Sequence, residues 1–422
     1  MVRKKLPDPL DFDFTRGNYA LRILSDRGIK QAIGQGYIGV SPAIDLDNPG
    51  KRIQPATIDL GFDNVEESYS RSFADDGELH CSCKQLEAGK VSLVKFKEEF
   101  VFNSPAVSIP GLLGGATKQP TGFFDGFIDG RSSLLRLGAV VLGRPAFLGN
   151  VETTMFNLSP NDIVLNESER IAQMFIEVKP FADCRGVPYS RGGHPHLSPE
   201  GDKIRELEMG VQVVSNFQLE ALSEAGLIKI ERGNGGRYVP WKGVVFLHAN
   251  RAYRARKIES GVDFANRTKY KKEDLLEEIN INGRYFLREG ERLVVGADEK
   301  FELSPYAGFR IVNFFVGADE FGTKLFGNFP RPKLSQIKSE EDFCQAINDY
   351  TLYCTSNGWI DPGYKGIVSG FPRYYSGKSI QKGDVVGYAQ VFYFPKGVER
   401  PYGSEELGSQ YQGLKELSLG KR

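Results

Sequence analysis

Short runs of β-forming residues, separated by turn-forming residues, limit what this chain can fold into. The 422 residues include 48 glycines and 22 prolines, spread between many runs rich in Val, Ile, Phe and Tyr. Such runs predict β-strands. The clearest ones lie at residues 90–102, 162–178, 284–297 and 382–394. Helical spacing of apolar residues is confined to short segments at 25–36, 215–226 and 339–354. We therefore expect an all-β protein with a few short helices.

Charge and composition exclude several classes of protein. Lys+Arg and Asp+Glu both number 54, so no global basic field favours binding to nucleic acid. No run of 18 apolar residues occurs, and the first residues lack the apolar segment of a signal peptide, so we expect a cytoplasmic protein without membrane contact. The five cysteines are few and odd in number, as is usual where thiols stay reduced. Cys81 and Cys83 lack a matching second pair, which makes a zinc site there improbable.

The order of the predicted elements indicates an internal duplication. A short helix precedes a set of strands in each half of the chain. The runs at 163–178 and 379–394 also share a design: a polar turn, then Ile-Ala-Gln or Tyr-Ala-Gln, then an apolar end. We expect a diverged repeat of about 200 residues. The seam falls near residues 200–215, which gives domains at 1–205 and 206–422.

The stretch DGRSSLLRLG, residues 129–138, concentrates hydrogen-bond donors around two leucines. Its donors are Arg131, Ser132, Ser133 and Arg136. Arginine forks suit phosphate oxygens, serine adds neutral hydroxyls, and Gly130 lets the backbone approach closely. The leucines would bury the strand end and so hold the arginines and serines outward. Taken alone, the stretch also fits a strand-end turn whose arginines pair with surface carboxylates.

Five motifs in order resemble the dCTP deaminase and dUTPase superfamily. They lie at residues 22–42, 53–61, 129–138, 358–366 and 400–413. The motif GWIDPGYKG resembles the base-recognition hairpin of dCTP deaminases, and RPYGSEELGSQYQG resembles their closing tail. Residues 149–176 are closer to the dUTPase version of the same strands. The middle of the chain, about 205–350, matches poorly.

The resemblance implies distorted β-barrels, here in tandem, usually assembled as a trimer with active sites between copies. One copy supplies the phosphate-binding turn and another the hairpin that reads the base. In this chain the first repeat has the phosphate motif but LGRPAFLGN in place of the hairpin, and the second repeat has the hairpin but no phosphate motif. We therefore expect a composite site between a first and a second repeat, within one chain or across chains.

The resemblance also assigns roles to individual residues. Those implied in catalysis are Asp361, Ser132 and Arg136. Those implied in substrate binding are Gly130, Arg131, Ser132, Ser133, Arg136, Asp361, Tyr364, Tyr402, Gln410 and Tyr411. Asp361 would hold the sugar 3′-hydroxyl or activate water for attack on the α-phosphate. The tail at 400–413 would close as a lid. Asp59 would support the phosphate turn or a Mg²⁺-water shell, or else make a buried polar contact on its strand.

Three positions depart from the superfamily pattern. The glutamate that activates water in the deaminases falls on Phe371 in the second repeat and on Thr154 in the first. Glu152 is two residues away, about 6.6–6.8 Å along a strand, which is too far for a simple substitute. Gln410 and Leu414 stand where a lysine and a glutamine are expected. Either carboxylates of the middle region, such as Glu289, Glu291 and Glu320, complete the site, or the substrate differs, or catalysis is lost.

These observations predict a deoxynucleotide-metabolising hydrolase. The favoured reaction is deamination of dCTP to dUTP, with Mg²⁺ bound through the triphosphate. One alternative is dUTPase-like hydrolysis to the monophosphate and pyrophosphate. Another is a noncatalytic nucleotide-binding or scaffold protein. The expected partners are a deoxynucleoside triphosphate and further copies of the chain in a trimer.

Overall fold

The computed structural model describes most of both halves of the chain. The described residues are 22–50, 52–69, 84–102, 122–142, 144–146, 149–167, 169–180, 207–213, 215–233, 243–288, 291–314, 354–374, 379–407 and 411–413. The cysteine pair at 81–83 and residues 200–206 of the expected seam lie outside these ranges. So does the helix candidate at 339–354, apart from Cys354, which begins a strand.

Short helices and many strands make up the first half. These are β1 (Arg22–Leu24), α1 (Asp26–Gly34), β2 (Ile38–Ser41), β3 (Ile58–Tyr69), β4 (Gln85–Leu86), β5 (Val91–Phe102), β6 (Gly122–Gly130), α2 (Ser132–Arg136), β7 (Ala139–Leu142), β8 (Arg144–Ala146), β9 (Gly149–Asn157), β10 (Ile163–Val164) and β11 (Arg170–Pro180).

The second half is built from similar elements. These are β12 (Met209–Gln212), α3 (Asn216–Glu224), β13 (Ile228–Arg232), β14 (Val244–Ala255), β15 (Val262–Asp263), a 3₁₀ helix (Arg267–Lys269), α4 (Lys272–Leu275), β16 (Leu276–Ile279), β17 (Tyr285–Phe286), β18 (Arg292–Leu303), β19 (Ala307–Phe314), β20 (Cys354–Ile360), β21 (Lys365–Tyr374), β22 (Ser379–Ile380) and β23 (Val385–Tyr393). The all-β fold class is confirmed.

The predicted helices α1 and α3 begin and end where the sequence indicates. Ser25 and Ser215 are their N-caps, and each side chain accepts a hydrogen bond from the backbone N–H three residues ahead. Each helix is followed by a glycine with positive φ, Gly36 or Gly226. Local capping chemistry therefore fixes both helices.

The strand pairings of the first half recur in the second. β5 pairs with β2, β3 and β9, and β18 pairs with β13, β14 and β21. β11 pairs with β3 and β6, and β23 pairs with β14 and β19. All these pairs are antiparallel. The domain limits at 205 and 206 remain a prediction, because strands of both halves belong to one continuous network.

Two apolar cores lie on either side of a paired junction. One core is drawn mainly from residues 24–178 and the other mainly from residues 213–411. β1 joins them, because it pairs with β11 on one side and with β12 on the other. β12 in turn pairs with β23. The junction therefore aligns the end of the first half with the last strand of the second.

A segment between β14 and β18 also crosses to the first half. β15 pairs with β10 in parallel, with Ile163 opposite Val262. The backbone N–H of Phe264 donates to Val164 O at 3.0 Å. This part of the poorly matching middle region is thereby placed beside first-half strands.

Within the described ranges, no helix has the length and apolar character needed to cross a membrane.

Candidate functional site

A cavity of about 400 Å³ lies where the two halves meet. Its first-half lining includes Gln54, Arg131, Ser132, Arg136, Glu169, Arg170 and Gln173. Its second-half lining includes Phe264, Arg267, Trp359, Asp361, Tyr364, Ser369, Tyr402, Leu407 and Tyr411. Motifs more than two hundred residues apart thus line one space within a single chain.

The phosphate motif forms the end of β6 and the short helix α2. Leu134 is fully buried and Leu135 is 2% exposed, so the leucines anchor the turn as predicted. Gly130 is required by close packing, since a Cβ there would lie 3.2 Å from Val141 Cγ2. Its backbone N–H donates to Asp129 Oδ1 at 2.7 Å. The turn is therefore held rigidly by its own strand end.

Asp129 also fastens this turn to the second half. Its carboxylate is buried and accepts the backbone N–H of Gly358, at 3.1 Å from each oxygen. Gly358 has a φ of +113° and begins the GWIDPGYKG motif. One carboxylate therefore sets the spacing between the expected phosphate and base motifs.

Asp59 lies behind the arginines of the cavity. Its Oδ2 is 2.9 Å from Arg131 Nη1 and 3.4 Å from Arg170 Nη1, and it also accepts Gln54 Nε2 at 3.2 Å. Burial raises the pKa of Asp59, and the two guanidinium groups lower it. Asp59 therefore makes a buried polar contact with Arg131, and this contact supports the phosphate turn.

Arg136 departs from the expectation that both arginines point outward. Its side chain is buried, and its guanidinium carbon lies 3.8 Å from the centroid of the Tyr411 ring. Arg131 stays one-third exposed. The expectation is wrong for Arg136 because the tail residue Tyr411 covers it.

The IDPG motif forms a corner between two sheets. Tyr364 N–H donates to Asp361 O at 3.1 Å, and Gly363 has a φ of +93°. The turn is as tight as predicted, but β20 before it pairs with β19 and β21 after it pairs with β18. The expected hairpin is therefore a turn between strands with different partners.

The carboxyl group of Asp361 is buried in this corner. Its Oδ1 is buried. Burial raises the pKa of Asp361 to about 8, with a further rise from Asp59, while Arg131 and Trp359 lower it. A carboxyl group that changes its protonation state near neutral pH suits acid–base chemistry.

The C-terminal tail folds back onto the corner. Tyr402 N–H donates to Pro362 O at 2.7 Å, and Tyr411 N–H donates to Tyr402 Oη at 3.0 Å. The Gln412 side chain bonds Gly363 O and Lys365 N–H. Burial raises the pKa of Tyr364 to about 12 and also raises the pKa of Tyr402. Both phenols are therefore neutral near pH 7, and Tyr402 and Tyr411 of the tail line the cavity.

The structure brings seven of the ten predicted site residues to the cavity. Gly130 and Ser133 are buried and do not line it, and Gln410 lies outside the described residues. Leu414, Glu289 and Glu320 also lie outside them.

The other positions considered for the catalytic carboxylate do not line the cavity. Glu291 binds Arg254 at 2.6 Å, and Glu152 on β9 lies opposite Lys95 on β5. Thr154 sits opposite Leu93, and the backbone of Phe371 pairs with Val295. Of the three middle-region carboxylates named from the sequence, the structure describes Glu291, and it lies outside the cavity.

Sequence reasoning missed several residues that line the cavity. Glu169 and Arg170 lie at the start of β11, in the sequence SERIAQ, whose dUTPase-like pattern was a usable signal. Ser369 has a buried Oγ without a hydrogen-bond partner among the described residues. Arg267 comes from the poorly matching middle region, where no motif pointed to it.

Comparisons with known proteins identify the family to which the chain belongs. A family model described as dUTPase matches residues 116–184. A "dCTP deaminase, dUMP-forming" of Corynebacterium kroppenstedtii is 32% identical over 179 residues, which are 40% of this chain and 88% of the relative. The chain belongs to the dCTP deaminase/dUTPase superfamily. Another superfamily member with the same description, from Dictyoglomus thermophilum, is 29% identical over 201 residues, covering 44% of this chain and 95% of the relative.

A solved structure extends the superfamily fold over both halves. The 2′-deoxycytidine 5′-triphosphate deaminase from Agrobacterium tumefaciens aligns with a TM-score of 0.51 at 15% identity, covering 90% of this chain and 99% of that chain. The fold is therefore shared well beyond the matched motifs. The descriptions of the two sequence relatives give dUMP as the product, which differs from the dUTP predicted from the sequence.

Proposed function

We propose that this protein converts dCTP to dUMP. The conversion needs water to replace the amino group at C4 of cytosine, releasing ammonia, and water to attack the α-phosphorus, releasing pyrophosphate. The observation that carries the proposal is the composite cavity, which joins the Arg131 and Arg136 turn to the Asp361 corner and its lid. The dUMP-forming descriptions of the relatives support this product over the dUTP of the sequence-based prediction.

The phosphate side of the cavity supplies charge and hydroxyl donors. Arg131 and Arg136 carry permanent positive charges, and Ser132 adds a neutral donor at the same turn. Asp59 fixes Arg131 from behind. These groups would hold a triphosphate in place and stabilise the charge that develops during hydrolysis.

Asp361 would act as the acid–base group. In its ionised form it would take a proton from the attacking water, and in its neutral form it would donate one to a leaving group. Its burial and its pKa of about 8 support both states near neutral pH. Ser132 lines the same cavity and would orient a water molecule beside the substrate.

Magnesium would enter with the nucleotide. Among the residues that the structure describes, no three His, Cys, Asp or Glu side chains form a metal-binding group. Mg²⁺ on substrate phosphates needs few protein ligands, because it keeps several waters. Bound through the triphosphate, the ion would neutralise phosphate charge.

Product analysis tests the proposal. The purified protein is incubated with dCTP, dUTP or dCMP and Mg²⁺, and nucleotides and pyrophosphate are separated by chromatography. We expect dUMP and pyrophosphate from dCTP. Accumulation of dUTP alone would limit the chain to deamination, and dCMP from dCTP would show hydrolysis without deamination.

A noncatalytic nucleotide-binding protein is the second candidate. It is favoured because Phe371 and Thr154 stand where the deaminase glutamate is expected, and neither side chain carries a carboxylate that can act as a base. Measurable binding of dCTP without any product would establish this candidate and contradict the enzymatic proposal.

The described residues that line the cavity come from both halves of one chain. The trimer implied by the superfamily resemblance remains a proposal. Light scattering on the purified protein measures the mass of the assembly and tests it.

A further inference from the structure

The C-terminal tail crosses to the first half of the molecule before it reaches the cavity. The strand before it, β23, belongs to the second half. Glu399 and Arg400 then bond to helix α1 of the first half. Two residues later, Tyr402 N–H donates to Pro362 O in the second half at 2.7 Å. The first half therefore holds the tail at its root.

Asp26, in the first turn of α1, accepts two consecutive backbone N–H groups of this root. Its Oδ1 accepts Glu399 N–H at 3.0 Å, and its Oδ2 accepts Arg400 N–H at 2.9 Å. Oδ1 also accepts the N–H of Arg27 at 2.9 Å, and Asp26 is fully buried. Because a carboxylate accepts N–H groups more strongly than a neutral oxygen does, this contact fixes the backbone of the root.

The side chain of Arg400 makes a second connection to the first half. Its Nη1 donates to Gly50 O at 2.8 Å, and its Nη2 donates to Ile53 O at 2.6 Å. A guanidinium fork can bond two carbonyl groups at once in a fixed geometry, which an ammonium group cannot do. Lys30 of α1 adds an ion pair with Glu399 at 2.8 Å. Both backbone and side chains of the root are thus bonded to the first half.

Two tyrosines of the cavity follow this root along the tail. Tyr402 lies two residues beyond Arg400 and lines the cavity, as does Tyr411. Tyr411 N–H donates to Tyr402 Oη at 3.0 Å, and the Tyr411 ring lies over Arg136. Displacement of the root would therefore move Tyr402 and, through its phenol, Tyr411.

We propose that Asp26 is a positioning residue for the nucleotide site, because it holds the tail root that places Tyr402 and Tyr411 at the cavity. The inference rests on the proposed function, since it takes this cavity to be the nucleotide site. Asp26 itself does not line the cavity. Its role is to let a helix of the first half set the position of tail side chains from the second half.

The expected effect follows from the fraction of molecules in which the tail is in place. A site that is complete only in that arrangement binds substrate with an affinity reduced by the same fraction. At saturating substrate, the bound nucleotide favours the placed tail and restores the complete site. Loss of the anchor should therefore raise KM and leave kcat almost unchanged.

Three variants test the anchor. Asp26→Asn keeps the shape but turns an amide donor toward the N–H groups of the root. Arg400→Lys keeps the charge but loses the fork. Ser25→Ala is the matched control, because it removes the N-cap of the same helix, and its hydroxyl bonds to Gly28 N–H and Glu208 O rather than to the tail. Thermal unfolding establishes that each variant is folded.

Two measurements report on the anchor. Steady-state kinetics with dCTP gives KM and kcat, and calorimetry gives the dCTP affinity in place of KM if the wild type shows no turnover. Hydrogen–deuterium exchange at residues 402–407, without nucleotide, reports on the tail beyond the altered contact. Exchange at residues 216–224 of α3 serves as the internal reference.

We expect Asp26→Asn to raise KM about tenfold or more, the usual effect of losing a hydrogen bond to a charged group, with kcat within about twofold. Exchange at residues 402–407 should become about tenfold faster, while exchange in α3 stays unchanged. Arg400→Lys should change both quantities in the same direction but less. Ser25→Ala should lower thermal stability and keep the wild-type KM and tail exchange.

Unchanged KM and tail exchange in Asp26→Asn would overturn the inference. An equal rise of KM in Ser25→Ala would also overturn it, since weakening of α1 alone would then be sufficient. If Asp26→Asn does not fold, Arg400→Lys decides on the same measurements.

Failure of the inference is distinct from failure of the proposed function. If the wild type turns over no nucleotide but Asp26→Asn weakens dCTP binding and speeds tail exchange, the anchor stands and the proposed reaction fails. If the wild type forms dUMP and Asp26→Asn keeps its KM and tail exchange, the reaction stands and the anchor fails.

Discussion

At the scale of single residues, the chemistry of this site depends on how deeply a few charged groups are buried. Asp361 and Asp59 are carboxylates of the same kind, yet Asp59 bonds directly to Arg131 and Arg170, whereas burial is the largest influence on Asp361 and Arg131 opposes it only in part. The first is therefore suited to holding Arg131 in position, and the second to exchanging protons. Burial raises the pKa of both, but contact with arginine opposes it much more directly at Asp59.

The activity should follow the ionisation of Asp361. If its ionised form is the base for hydrolysis, kcat/KM for dUTP should rise with pH and level off above about 8, the pKa of the free group. Asp361→Asn should lower kcat about a hundredfold or more. Asp47→Asn, at an exposed position outside the cavity, is the control. A flat pH profile with wild-type activity in Asp361→Asn would contradict the role.

The same group should affect stability with a definite sign. Folding raises the pKa of Asp361 from 3.8 to about 8, so its favourable contribution is complete below pH 3.8 and is lost as pH rises through about 8. Asn does not ionise, so the Asp361→Asn variant does not lose stability in this way as pH rises. Denaturant unfolding across that range should show a wild-type free energy of unfolding that falls relative to the variant. A constant difference would show that the carboxyl group is not neutral when folded.

At the scale of elements, two close contacts hold the halves together. Helix α1 packs its Gly28 against the backbone of Glu208, where a Cβ would overlap the carbonyl oxygen. The tail packs Tyr411 over Arg136 of α2. In each case an element of one half packs against the backbone or a side chain of the other half.

Gly28→Ala should destabilise the protein by about 1–3 kcal/mol, because backbone must shift to admit the methyl group. Gly34→Ala is a matched control on the same helix, since its Cβ would meet nothing closer than Leu46 Cδ1 at 3.5 Å. Chemical denaturation measures both. Equal stability of the two variants would contradict the close approach of α1 to residue 208.

The lid contact should depend on the Tyr411 ring. Tyr411→Ala removes the ring above Arg136 and should raise KM for the nucleotide about tenfold, because the cavity loses its cover and the cation its stacking partner. Tyr411→Phe keeps the ring and should stay close to wild type, since the hydroxyl has no partner among the described residues. Steady-state kinetics distinguish them, and equal KM values would argue against the lid.

At the scale of the whole molecule, one chain brings together the two halves of the site. The buried Asp129 carboxylate joins residues 229 positions apart, and the cavity is lined from both sides of this contact. The two halves, with their similar strand pairings, thus line different parts of one pocket.

Complementation tests whether the site is confined to one chain. Arg136→Ala and Asp361→Ala should each be inactive, and mixtures should recover no activity, because every cavity in the mixture lacks one group. Unfolding and refolding the mixture checks for slow exchange of chains. Recovery to a substantial fraction of wild-type activity would show that sites are shared across chains.

The sequence by itself determined the local features of this protein. Alternation of apolar residues gave the strands, Ser25 and Ser215 with the glycines after them gave the helices, and the ordered motifs gave the superfamily. These features depend on residues a few positions apart. Packing between distant segments places Asp361 Oδ1 out of contact with solvent, Tyr411 over Arg136, and Arg267 at the cavity. Those outcomes arise from packing between segments far apart in the chain, and local sequence patterns do not indicate which segments will contact each other.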